Sequence, residues 1–375
     1  MQQEACDKVY IDRILRGMHD TDGFYSPKKL GAIGSDLAAV ACFFEKPWTA
    51  VSPQLSEAAQ AWLLNAAAFS LRALGRLTEA LEPYQASLDM CVEQENWKQA
   101  AIRASNLSDL ELTLGQVAEA VQDAERSVDY ADRSGDAFQR MARRTMLADV
   151  LFQAGQKDEA ADLFRQAEAI QAEYQSRYCL LYGVSGFRYC DLLLTPAERA
   201  AWQLLLNPKS ETRNPKLLEA CRAVQERATQ TYAWAKQFGI LLDIALNHLS
   251  LGWAALYQAI LAKSETRNAK SVIEEALDSL RQAAHNEFIV CGLLSRALLR
   301  FVEDDTNECR ADLDEAWQIA ERGSMRLFMA DVLLYRGRLF RDKAALAEVR
   351  ELIEQCGYLR RDGELADAEE AAKSW

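Results

Sequence analysis

LGRLTEALEPYQASL (residues 74–88), LGQVAEAVQDAERSV (114–128) and AGQKDEAADLFRQAE (154–168) carry one pattern at a fixed spacing of 40 residues. Gly75, Gly115 and Gly155 share one place in it, and the pairs Glu79-Ala80, Glu119-Ala120 and Glu159-Ala160 share another. A glycine reaches left-handed backbone angles at low cost, so it ends one helix and lets the chain turn. The small alanine five residues later lets two helices approach closely. Tyr84 and Phe164, four residues beyond the alanine, lie on its helix face and fill the space between helices; the second copy has Ala124 there. The stretch predicts a helix-turn-helix unit, used repeatedly.

The same phase extends outward. Forty residues after Gly155 comes Thr195, where Thr195, Pro196 and Glu198 predict a capped helix start. The strict phase stops after Trp202. Pro208 and Pro215 bracket KSETRN (209–214), a hexapeptide that recurs at 263–268 and reads as a polar turn in both places. Repeat-like spacing resumes with Ala276, Leu280 and Ala283, then with Cys309 and Ala316, then from Met329 into AALAEVRELIEQCGY (344–358). GELADAEEAAKSW (363–375) reads as a capping helix. Upstream, KKLGAIGSDLAAVACFF (28–44) reads as a capping helix, and Ser52-Pro53 as the start of the helix leading into the first repeat.

The alanine followed by an aromatic is half of the tetratricopeptide signature; the other half is worn down to Leu64, Ala67, Ala68 and Leu71. The period is about six residues longer than the tetratricopeptide one, which lengthens helices or links without changing the unit. The expected fold is all-α: a tetratricopeptide-like helix-turn-helix solenoid, wound as a right-handed superhelix of about seven helical pairs. Residues 1–51 would be N-terminal capping helices, 52–205 the regular 40-residue repeats, and 206–375 divergent repeats with a C-terminal capping helix.

Composition narrows the function. Half the residues are apolar and 26% are charged, as in globular proteins. No proline lies between Pro83 and Pro196 or after Pro215, so both stretches are free to be helical. A net charge of −13 repels a phosphate backbone and argues against nucleic acid as a partner. Arg140, Arg143 and Arg144 cluster at helical spacing and read as a solvated helix face. The nine cysteines are scattered without a C-x-x-C pair, as expected of core thiols in a reducing cytoplasm. No apolar run reads as a signal peptide or a membrane span, so no membrane partner is expected.

Catalytic candidates are few. His19, His248 and His285 fall in distant repeats, and His248 reads as a hydrogen-bonded helix residue. There is no zinc spacing, phosphate loop or G-x-S-x-G motif; Gly183-Val184-Ser185-Gly186 breaks the last by one residue. Carboxylate pairs such as Asp304-Asp305 are expected to be solvated. No enzyme activity, cofactor or metal is expected.

Binding is the alternative. In tetratricopeptide geometry the first helix of each pair lines a concave groove, at places about ten, six and three residues before the turn glycine. This selects Asn65, Phe69 and Arg72, then Ser105, Asp109 and Leu112, then Thr145, Asp149 and Phe152, then Ser185 and Tyr189. Polar groups and aromatics in one groove suit a protein or peptide segment.

Several stretches go further: NLSDLELTLGQVAEAVQDAERSV (106–128), GDAFQRMARRTMLADVLFQAG (135–155), FRYCDLLL (187–194), LDIALNHLSLGWAALYQA (242–259), ADLDEAWQIAERGSMRLFMADVLL (311–334) and CGYLRRDGELADAEEA (356–371). From about Lys28 onward the chain resembles the tetratricopeptide sensor region of bacterial STAND-type signalling NTPases, in which a NACHT or NB-ARC module precedes the repeats. The resemblance implies a sensor that binds a trigger and relieves autoinhibition. This sequence has no NTPase module, so the alternative is a stand-alone scaffold that holds a separate effector such as a protease.

Overall fold

A computed structural model describes residues 1–17, 25–208, 214–283 and 285–375, with the side chains of 27–29 excepted. His19 and all but the last residue of the first KSETRN copy lie outside the described residues.

The N-terminal segment is α1 (Gln2–Glu4), continuing as π-helical turns over Ala5–Ile14, then α2 (Tyr25–Leu30) and α3 (Ile33–Ala41). A short antiparallel hairpin follows, β1 (Phe44–Lys46) and β2 (Ala50–Val51). Cys6, Tyr10, Leu37, Val40 and Phe43 cover the open face of the first pair, as a cap must. The hairpin replaces the end of the helix expected over 28–44. The helix into the first repeat begins later than Ser52-Pro53: Ser56 is the N-cap, its Oγ accepting from the Ala59 amide at 3.3 Å.

Seven helical pairs follow among the described residues: α4 (Glu57–Ala73) with α5 (Leu77–Glu93), α6 (Trp97–Leu114) with α7 (Val117–Ser134), α8 (Ala137–Gln153) with α9 (Lys157–Tyr174), α10 (Gly183–Leu206) with α11 (Pro215–Phe238), α12 (Leu241–Ala262) with α13 (Arg267–Ala283), α14 (Asn286–Val302) with α15 (Thr306–Arg322), and α16 (Arg326–Phe340) with α17 (Lys343–Cys356). A 3-10 turn (Leu359–Arg361) leads to the last helix, α18 (Asp362–Ala372).

The 40-residue period is visible in atoms. Gly75, Gly115 and Gly155 all have left-handed φ, between 76° and 84°. Ala80, Ala120 and Ala160 are fully buried, and Tyr84 and Phe164 fill the inter-helix space. Ser87 Oγ donates to the Ala61 carbonyl at 2.7 Å, and forty residues on Ser127 Oγ donates to the Ala101 carbonyl at 3.2 Å. Each bond ties the second helix of a pair to the first and satisfies a hydroxyl that is out of reach of water.

The fourth unit departs from the expectation. No helix starts at Thr195; α10 runs through Pro196 without interruption. Thr195 Oγ1 donates back to the Asp191 carbonyl at 3.2 Å instead of capping. Glu198, read as the partner in a capping box, is buried and meets Arg361 at 3.2 Å. The residues are sound helix-start residues locally, but tertiary burial claims Glu198 and keeps the helix whole.

The solenoid turns back on itself. α16 packs on α6, the 3-10 turn on α8, and α18 on α10. The apolar core runs on across residue 205, with Leu194 and Trp202 packed in one cluster with Val332 and Tyr335. α12 is long and apolar enough to cross a membrane by length and composition, which the sequence reading missed. Of its most apolar window 72% is buried, against α10, α11 and α13.

Two predictions follow from this packing. Gly75→Ala meets open space and costs only the left-handed strain, about 1–2 kcal/mol. Gly155→Ala also drives a Cβ to 2.9 Å from Leu359 Cβ, so denaturant titration should show a clearly larger loss. Second, burial and the facing Asp123 and Glu119 carboxylates push Glu111 up to about 8 from 4.5. The folded state therefore holds a proton that the unfolded chain releases above pH 4.5. Stability from this group is intact at low pH and falls as pH rises through 8. Thermal melts of Glu111→Gln should match the native chain at pH 4 and exceed it at pH 9.

Candidate functional site

The first helices of pairs two to seven, with the turn before α18, face one another around a central cleft of about 140 Å³. Two ionic networks form its ends. At one end Arg72 from α4 binds Asp109 at 2.5 Å and Glu287 of α14 at 3.1 Å. Arg188 from α10 reaches Asp109 at 2.6 Å and Asp149 at 3.0 Å. At the other end Arg360 grips Asp191 with both terminal nitrogens, at 2.6 and 2.7 Å. Arg361 meets Asp331 at 2.8 Å, Glu364 at 2.6 Å and Glu198 at 3.2 Å. Tyr358 Oη donates to Asp331 at 3.2 Å, and Arg338 joins Glu364 at 3.0 Å.

Aromatics line the wall between. Phe187 lies 4.9 Å from Trp253 and meets Phe288 edge-on at 5.6 Å, ring centre to ring centre. Trp253 Nε1 donates to Ser295 Oγ at 2.6 Å, and that hydroxyl donates to the Cys291 carbonyl at 2.6 Å.

The charges are balanced locally. Burial disfavours the Asp109 carboxylate, but Arg72 and Arg188 outweigh it and hold its pKa well below the usual range. Burial pushes the Asp149 carboxyl up, against the pull of Arg188. Glu364 is buried too, yet Arg361 and Arg338 hold it down at about 2. The carboxylates of the two networks are thus engaged with arginines, and no histidine is among the lining residues. Among the described residues no group of three or more His, Cys, Asp or Glu is placed to hold a metal.

The sequence-selected groove residues divide. Asp109, Leu112 and Asp149 line the cleft. Arg72 is bound to Asp109, and Phe152 lies beneath Arg360, 4.1 Å from its guanidinium carbon. Asn65 is half-buried, with no partner for its Oδ1 among the described residues, and Phe69 is exposed on the same helix. Ser105 is buried, and Thr145 and Ser185 hydrogen-bond each other at 3.0 Å. Tyr189 turns the other way: it stacks on Phe164 at 4.9 Å under Arg227, in the core between helices. α10 has no turn glycine to set its phase, so Arg188 and Asp191 face the cleft in place of Tyr189.

The walls from Trp253 to Arg361 were not found from sequence. They come from repeats without the regular phase, and reach the cleft only because the array curls round. The Arg-Arg pair at 360–361, two residues after Tyr358, was the available signal. The arginine cluster on α8 also needs correction. Arg140 and Arg144 both clasp Asp132, but only Arg140 is a solvated residue; the Arg144 side chain is largely shielded, and the Arg143 Nε is buried with no hydrogen-bond partner among the described residues. His248, expected to be hydrogen-bonded, is buried 4.7 Å from the Tyr232 ring, burial lowers its pKa, and its Nδ1 has no hydrogen-bond partner among the described residues.

No family model matches the chain, and no curated protein matches it. Among solved structures it is similar to the Rap conjugation gene regulator of the plasmid pLS20, solved in complex with the Phr* peptide. The TM-score is 0.52 at 12% identity, over 84% of this chain and 77% of that one. The fold is a tetratricopeptide-like helical solenoid.

Removing one side of the buried ionic network should be costly. Arg361→Ala leaves buried Asp331 with only the Tyr358 hydroxyl, Glu198 with only Arg360 at 3.6 Å and Glu364 with only Arg338, an expected loss of about 3–5 kcal/mol in denaturant unfolding. Arg350→Ala, on an exposed pair with Glu369, should cost under about 1 kcal/mol. The Glu364 contribution is present above pH 4.5 and is lost as pH falls towards 2.

Proposed function

We propose that the chain is a non-enzymatic regulatory module that captures a peptide or protein segment in its central cleft. The observation that carries this reading is the convergence of helices from pairs two to seven on one aromatic and ionic cleft. The solved regulator of similar fold, which holds a peptide, supports it. The lining has aromatics to anchor side chains and paired charges to orient a backbone, and it has no base poised beside a free nucleophile.

At about 140 Å³ the cleft admits one or two side chains. A longer segment enters when the first pair parts from the sixth at the Arg72–Glu287 contact, and its binding favours that open arrangement. In cells we place the module in the cytoplasm, as the sensor of a STAND-type NTPase. The alternative is a free-standing regulator that holds a separate effector, and the likeness to a gene regulator favours it.

Peptides selected by display against the full chain test the reading. Phe288→Ala, which removes one wall of the cleft, should weaken the selected peptides by about tenfold or more. Tyr174→Ala, exposed and outside the cleft, should leave binding unchanged. The reverse outcome moves the site to the outer surface, and a selection that yields no binder removes the reading.

A further inference from the structure

The ionic networks of the cleft do not balance. At one end three carboxylates, Asp109, Asp149 and Glu287, share two arginines, Arg72 and Arg188. At the other end four, Asp191, Glu198, Asp331 and Glu364, share three, Arg338, Arg360 and Arg361. The cleft lining itself carries six carboxylates against three arginines, and no lysine or histidine among the described residues. Burial pushes the carboxyls of Asp149 and Glu198 up, so protons take up part of the surplus.

The wall between the two ends feels the surplus. Cys291 lines it, and burial with the Asp331, Asp191 and Glu287 carboxylates pushes its thiol up, against the pull of Arg360. Phe187, Trp253 and Phe288 stand in the same wall, with ring centres 4.9 and 5.6 Å from Phe187. Aromatic faces attract cations, most strongly where water is excluded. Glu287 precedes Phe288 on α14 and also lines the cleft. A space of about 140 Å³ takes a small organic group without parting the first pair from the sixth.

We propose that the cleft receives an organic cation, an alkylguanidinium or alkylammonium group, against the Phe187, Trp253 and Phe288 wall and beside Glu287. The cation is a basic side chain of the captured segment or a free metabolite of that chemistry. In the first case the inference rests on the peptide-binding reading above and deepens it by naming the side chain; in the second it stands apart from it.

Titration calorimetry on the full chain tests it with butylguanidinium, its neutral isostere butylurea, and two acetylated, amidated octapeptide pools, one with Lys and Arg and one without. The native chain should bind butylguanidinium about tenfold more tightly than butylurea. Glu287→Gln and Phe288→Leu, both close to native in volume, should each remove most of that preference while melting as folded proteins. Preference for the basic pool assigns the cation to the captured segment. Butylguanidinium bound without preference between the pools assigns it to a free metabolite. Pools bound alike, with butylguanidinium no better than butylurea, overturn the inference and leave peptide capture standing. A preference that survives in both variants overturns the placement against this wall. A chain that binds none of the four probes overturns the inference and the peptide reading together.

Discussion

Arg361 cannot be buried alone. A guanidinium at this depth needs carboxylates around it, and the chain brings three: Asp331 from α16, Glu364 from α18 and Glu198 from α10. Its neighbour Arg360 needs Asp191, which is 169 residues away in sequence. Charge compensation therefore fixes where the last turn of the chain must sit against the fourth pair. With that turn placed, α16 lies on α6, and the superhelix closes around a cleft in place of an open groove.

This closure gives the site its character. In an open solenoid the concave face is a long polar surface. Here the facing helices exclude water from much of it, and the buried carboxylates share a smaller set of arginines. Such networks hold register more than they add stability, because hydrophobic residues of similar size would pack as well without desolvating charge. Register is what a cleft needs, since its walls come from helices far apart in the chain. At the other end Arg72 and Glu287 meet with more water around them than the inner network has. The two ends of the cleft thus differ in strength, one deeply buried and one near the surface.

The irregular fourth pair has a similar origin. Three pairs obey one phase because their turns are set by glycines at left-handed angles. The fourth has a longer first helix, in which Glu198 is buried in the ionic network and caps nothing. In α10 Arg188 and Asp191 face inward and Tyr189 packs on Phe164. A residue-by-residue extension of the period lost its accuracy at that point.

The sequence by itself determined the helix-turn-helix unit, the count of pairs, the turn glycines and the buried alanine and aromatic places. These depend on local backbone angles and on contacts between helices adjacent in the chain, both written in a 40-residue period. It also placed Arg72, Asp109 and Asp149 on the concave side. Only the tertiary structure decided that these residues are closed over, that Tyr189 is core and that the Arg143 Nε is buried. It alone brought in the wall from Trp253 to Arg361. The reason is the curvature of the superhelix. Small rotations between successive pairs accumulate until distant repeats meet, and no local pattern records that sum.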